Sequence, residues 1–223
     1  MKKSRLSKDA DKRRETDIPR VIASVTMSLD GRISTRSRSD NPHLMNGVMM
    51  GFTGGKSTKS SVPIRIMVNE GGRFDPKSLG EVLADSGSLL ILCTAKAIPN
   101  RVFRQLPPFV RVVEFPGGKI PLEALLMMLR SVWEVKLLLC EGESSLLKPL
   151  LAADVVEEIQ LTLEPLILGG SHGMSLTGHP DGFLLKDRDR RFCLKSLKEE
   201  KKGGATSGSA TLHYLRDREK TKP

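Results

Sequence analysis

Apolar and polar positions along this chain change period several times, and each change marks an element. The β-branched run RVIASVTM (20–27) predicts a strand, stopped by the turn signal Ser28-Leu29-Asp30-Gly31. The polar stretch 34–42 reads as a loop, GVMMGF (47–52) as a buried strand, 53–61 as a Gly/Ser/Lys loop and PIRIMVN (63–69) as a third strand. DPKSLGEVLADSG (75–87) opens on Asp-Pro and closes on Gly, the start and stop signals of a short helix. SLLILCT (88–94) and FVRVVEF (109–115) are further strands. PLEALLMMLRSVW (121–133) places Pro at a helix start and apolar side chains at 122, 125, 126 and 129, the spacing of a core-facing stripe. VKLLLC (135–140) is a wholly apolar strand, SSLLKPLLAA (144–153) a short helix and EEIQLTLEP (157–165) an alternating strand. RRFCLKSLK (190–198) and SATLHYLR (209–216) are two late strands with a Gly/Ser-rich linker between them.

Strands separated by helices, followed by strands in succession, predict an α/β fold. Its mixed sheet has a parallel centre and antiparallel C-terminal strands, flanked by helices. One domain is expected over 19–216, between a disordered basic leader (1–18) and a disordered tail (217–223). No apolar run approaches the ~20 residues of a membrane helix, and the basic N-terminus is not followed by the apolar segment of a secretory signal. The reading is a cytoplasmic chain.

The net charge of +10 changes this picture little once it is located. Four of the excess positive charges lie in residues 1–20 and six in 186–223, which leaves the body neutral. With a single Trp and a single Tyr, the body offers neither the basic footprint nor the stacking platform of a nucleic-acid binder, so that class is set aside. Cys93, Cys140 and Cys193 sit in strand-like stretches at no metal-ligand spacing and read as buried reduced thiols. The four histidines form no metal motif, and no metal is expected.

Two places could carry chemistry. The strand VKLLLC ends in Glu141-Gly142, and a helix follows at once with Ser144 or Ser145 as its cap. Open α/β sheets bind ligands at the carboxyl ends of their strands, and the free N–H groups of a helix start cradle phosphate. GFTGGKS (51–57) nearly spells a phosphate-binding P-loop. It has one residue too few between its glycines and runs into a strand, so it is not read as one, although its backbone can still contact a nucleotide.

These blocks together resemble the reductase domain of riboflavin biosynthesis. PRVIASVTMSLDGRIST (19–35) is similar to that family's opening strand and "SLDG(K/R)I(A/S)T" turn, and NGVMMGFTGG (46–55) to its "DAIMVGxGT" strand. VPIRIMVNEGGRFDP (62–76) resembles "PxRIVxDxxxRxP", and LLLCEGESSLLKPLLAADVVEEIQLTLEPLILGG resembles "EGGxxLxxxLLxxGLVDExxLxxxPxxxGG". The blocks run in order from about 19 to 215. The resemblance implies a dihydrofolate-reductase-like fold that binds NADPH and moves a hydride to a phosphorylated pyrimidine or a pterin-like heterocycle. It also implies a homodimer. Carried over, Gly142, Ser144 and Ser145 match the cofactor loop, and Gly51, Thr53 and Gly54 the nucleotide-contacting turn. Met27, Ser28 and Asp30 line the exit of the first strand, Met27 toward the nicotinamide and the other two toward substrate. Glu141 matches the acidic residue that faces the substrate, and no catalytic acid is assigned. The chain departs from the pattern in four ways. Only about a dozen residues (34–45) fill the interval where the family has an Arg-rich helix, KSTKSS (56–61) stands in place of "DDPxLTxR", Glu143 replaces a Gly, and Asn69-Glu70 replaces an Asp-Ser pair. A carboxylate at 70 or 143 facing the adenosine 2'-phosphate would repel it. The second reading is therefore a catalytically impaired homologue that binds a ligand or partner.

Overall fold

The structure is a computed structural model that describes residues 17–33, 48–53, 63–71, 89–141, 144–169, 175–176, 190–202 and 205–217. Its elements are β1 (Arg20–Ser28), β2 (Val48–Phe52), β3 (Ile64–Asn69), β4 (Leu90–Thr94), α1 (Asn100–Phe103), β5 (Val110–Glu114), α2 (Leu122–Ser131), β6 (Leu137–Glu141), α3 (Ser144–Ala152), β7 (Val156–Glu164), β8 (Phe192–Lys202) and β9 (Ala205–Arg216). The nine strands belong to a mixed α/β sheet. The chain packs as two compact units, one of residues 1–20 and 49–138, the other of 21–48 and 139–223.

In the first unit the strand order is β5-β4-β3-β2, with β3, β4 and β5 parallel. Every residue of β4 is buried, as a parallel strand covered on both faces requires. Helix α2 begins directly after Pro121 and buries Leu125, Leu126 and Leu129, the stripe its sequence announces. Helix α1 has four residues and buries none of them, so no apolar periodicity foretold it. The helix expected at 75–87 lies outside the described residues.

In the second unit the order is β6-β1-β7-β9-β8. β6 and β1 are neighbours in this order, and where they begin the N–H of Arg20 donates to the carbonyl of Lys136 (2.9 Å). β1 and β7 are parallel from Val21↔Val156 to Ser28↔Glu164. β7 and β8 both pair antiparallel with β9. This register sorts the side chains. Val25, Leu161 and Leu212 share one face with Ile159, Tyr214, Met27 and Leu163, while Thr26, Thr162 and Thr211 share the other. On the polar face the hydroxyls of Thr162 and Thr211 lie 3.2 Å apart, and Nε2 of His213 is 2.6 Å from Oε2 of Glu158.

Two expectations need correction here. The late strands were expected at 190–198 and 209–216, joined by a Gly/Ser linker. Instead β8 continues to Lys202 and β9 begins at Ala205, with Lys201 opposite Thr206. A backbone ladder between adjacent strands needs no apolar side chains, so the polar composition concealed it. Cys193 was expected to be buried. It is exposed on β8, the outermost of the described strands, and its thiol donates to Oδ2 of Asp217 (3.5 Å).

Candidate active site

The exit of β1 is tied into a compact knot. Ser28 ends the strand opposite Glu164 of β7 and is 2% exposed. Its Oγ donates to Oδ1 of Asp30 (2.5 Å) and accepts the N–H of Arg32 (3.0 Å), which closes the turn. Gly31 sits at φ +75°, a left-handed position where glycine costs least. Asp30 then reaches across to the segment after β7. Oδ1 accepts the N–H of Leu168 (3.2 Å) and Oδ2 that of Gly169 (2.9 Å), while the N–H of Leu29 donates to the carbonyl of Leu166 (2.9 Å). The Ser28 hydroxyl, with help from the two backbone N–H groups, holds the Asp30 carboxyl down at about 2. Glu164 is anchored in turn, its Oε2 accepting from the hydroxyl of Ser209 (2.8 Å).

Met27 lies half-buried on the apolar side of β1, opposite Leu163. Met27, Ser28 and Asp30 are thus gathered at one strand exit of the second unit. Glu141 ends β6, the neighbour of β1 in the strand order, with its side chain exposed and in the same unit. Ser144 and Ser145 are the first residues of α3, which starts two residues after β6 and carries no acidic residue in its first turn. Helix starts in general offer backbone N–H groups to phosphates. Gly142 and Gly54 lie outside the described residues. Gly51 and Thr53 belong to the first unit. Gly51 is buried within β2, where a Cβ would stand 3.0 Å from both Ile66 Cδ1 and Val135 Cγ2, and Thr53 is exposed just past the strand.

Sequence reasoning did not find the partners that fix these residues. Leu168 and Gly169 meet Asp30 across more than a hundred residues, a separation no local motif encodes. The available signal was the segment Pro165-Leu166-Ile167-Leu168-Gly169, three large apolar residues between Pro and Gly where a loop is expected to be polar. In the first unit Oε1 of Glu70 accepts the N–H of Ile120 (3.1 Å) and Oε1 of Glu114 that of Ile98 (3.2 Å). Glu70, flagged as a charge that would repel a 2'-phosphate, thus has one oxygen engaged by a loop N–H. Cys93 and Cys140 are raised to about 12, both mainly by burial and Cys140 further by the charge of Glu141, so neither supplies a thiolate at neutral pH. Among the described residues no group of three or more His, Cys, Asp or Glu converges as metal ligands do. No helix among them is long and apolar enough to cross a membrane.

Comparison with known proteins places this edge in context. The model of the RibD C-terminal domain matches residues 38–194, well over half of the chain. The chain belongs to the RibD C-terminal domain family. Among solved structures it is similar to the riboflavin biosynthesis reductase Rib7 of Saccharomyces cerevisiae, with 18% identity, a TM-score of 0.57, and coverage of 91% of this chain and 90% of that one. It is also similar to a pyrimidine reductase-like protein of Corynebacterium diphtheriae, with 16% identity, a TM-score of 0.60, and coverage of 92% and 94%. A third likeness is the diaminohydroxyphosphoribosylaminopyrimidine deaminase/5-amino-6-(5-phosphoribosylamino)uracil reductase of Thermotoga maritima, with 15% identity and a TM-score of 0.57. There the match covers 95% of this chain but only 59% of the other. No curated protein sequence matches. At these identities the structural likeness establishes the fold, a RibD-type mixed sheet.

Proposed function

We propose that this RibD-family chain is an NADPH-dependent reductase that delivers a hydride to a pyrimidine- or pterin-type heterocycle, with 5-amino-6-(5-phosphoribosylamino)uracil as the template substrate. The family match over 38–194 carries the reading. The carboxyl end of β6, which leads within three residues into the start of α3, supports it, because α/β sheets take nucleotides at strand ends of this kind. Bound NADPH would supply the hydride, so what the chain contributes is binding and orientation. Within the second unit Ser144 and Ser145 would hold its phosphates, with Met27 beside the nicotinamide and Glu141 toward the heterocycle. Free thiols fit a reducing, cytoplasmic setting.

The test is a titration of the protein with NADPH and with NADH, followed by Trp133 fluorescence, and then addition of the ribosylaminopyrimidine. Saturable NADPH binding with substrate-dependent loss of nicotinamide absorbance is expected. Binding without oxidation would transfer support to the impaired-homologue reading, and absence of binding would end the reductase reading.

We also propose a homodimer formed through the apolar face of the second unit. A bulge at Lys195 sets Leu194 opposite Tyr214 and Leu197 opposite Leu212, so both leucines join the Leu161–Leu212 face. That face is buried at Val25 but left 53% exposed at Leu194 and 61% at Leu197. Apolar patches of this kind on a sheet are normally covered by a partner. Leu194→Ser combined with Leu197→Ser is expected to shift the mass measured by light scattering from dimer to monomer. A monomeric native protein would dispose of the proposal.

A further inference from the structure

We infer that Asp30 is a positioning residue, a latch that holds the segment 165–169 against the β1 turn so that Leu29, Leu166, Ile167 and Leu168, not the carboxylate, form the rim that meets the ligand; the ligand half of this inference rests on the reductase reading above. Three hydrogen bonds cross from the turn to the segment. Asp30 Oδ1 takes the N–H of Leu168, Asp30 Oδ2 that of Gly169, and the N–H of Leu29 gives to the carbonyl of Leu166. The Ser28 hydroxyl fills a further acceptor site on Oδ1 and fixes the carboxylate's orientation. With both oxygens engaged by the protein itself, Asp30 has little acceptor capacity left for a substrate.

What the latch presents is apolar. Ile167 is 75% exposed, Leu29 62% and Leu168 49%. Side chains of this kind are ordinarily buried, and a group of them exposed together marks a surface that binds something. They stand where β1 and β7 end side by side, at the carboxyl edge where α/β sheets bind ligands. A planar ring undergoing hydride transfer gains from an apolar wall that keeps water away. Holding that wall in place is work a distant carboxylate can do without touching the ring.

Hydrogen exchange on the full-length protein without ligand tests the latch. In Asp30→Asn the amides of Leu168 and Gly169 are expected to exchange about tenfold faster while those of β7 keep their rates. Asp30→Glu, which restores the charge, should recover part of the protection. Unchanged exchange at 168 and 169, or equal acceleration through β1 and β7, would overturn the latch. Kinetics with NADPH and the heterocycle test the rim. Asp30→Asn is expected to raise KM several-fold with kcat and its pH profile little altered. Ile167→Ser, at an exposed position that leaves folding intact, should raise KM while the loop amides stay protected. A fall in kcat with a shifted pH profile in Asp30→Asn would make Asp30 a catalytic group instead, and an unaltered KM in Ile167→Ser would remove the rim. If the wild-type chain neither binds nor oxidises NADPH, the reductase reading falls, while the exchange result still decides the latch.

Discussion

Gly51 shows how packing alone constrains one residue. A Cβ at this position would meet Ile66 Cδ1 and Val135 Cγ2 at 3.0 Å, and Val135 is fully buried and stiff at χ1. Gly51→Ala is expected to lower stability by ~1–3 kcal/mol through overpacking, read as a lower urea midpoint with an unchanged slope. The sequence marked this glycine as a nucleotide contact, and its close quarters were invisible there because Ile66 and Val135 come from distant parts of the chain. Asp30 is the opposite case. Its place in a turn before Gly was legible from Ser28-Leu29-Asp30-Gly31, yet the two amides it holds were not. With its carboxyl held down at about 2, below the ordinary 3.8, its contribution to stability is present above the ordinary value and is lost only as the pH falls through about 2.

Elements were legible wherever a period reached the core. The stripe at 122, 125, 126 and 129 gave α2, and three of its four residues are buried. Leu129→Ala, at a fully buried position, is expected to cost ~2–5 kcal/mol. Met127→Ala on the exposed side of the same helix should stay within about 0.5 kcal/mol, and paired denaturation curves check both. Equal losses would mean that the helix is packed on both sides. The strands of β1, β4 and β7 were found through branched and alternating residues. The last third of the β8–β9 hairpin was missed because its backbone pairing carries no period in side-chain polarity. The same limit hid α1, which buries nothing. The site follows the pattern of the fold. Strand ends and helix starts could be located from sequence, whereas the cross-chain hydrogen bonds that orient them depend on register.

At the scale of the whole molecule, the two units differ in how the chain supplies them. The first is drawn mostly from one continuous stretch, 49–138, while the second joins 21–48 to 139–223. Parallel pairing makes this unavoidable for β1, since Val21 pairs with Val156. On a ribosome β1 therefore emerges early and waits, its strand edges unpaired, until almost all of the intervening chain has been made. At ~5–20 residues per second that interval lasts several seconds at least, far longer than helix or hairpin formation. The stretch 49–138 can collapse in the meantime, and the turn that ends β1 cannot acquire its Leu168 and Gly169 contacts until translation has passed them. The rim of the proposed active site therefore cannot form on a newborn chain until residue 169 has been made, long after β1 itself.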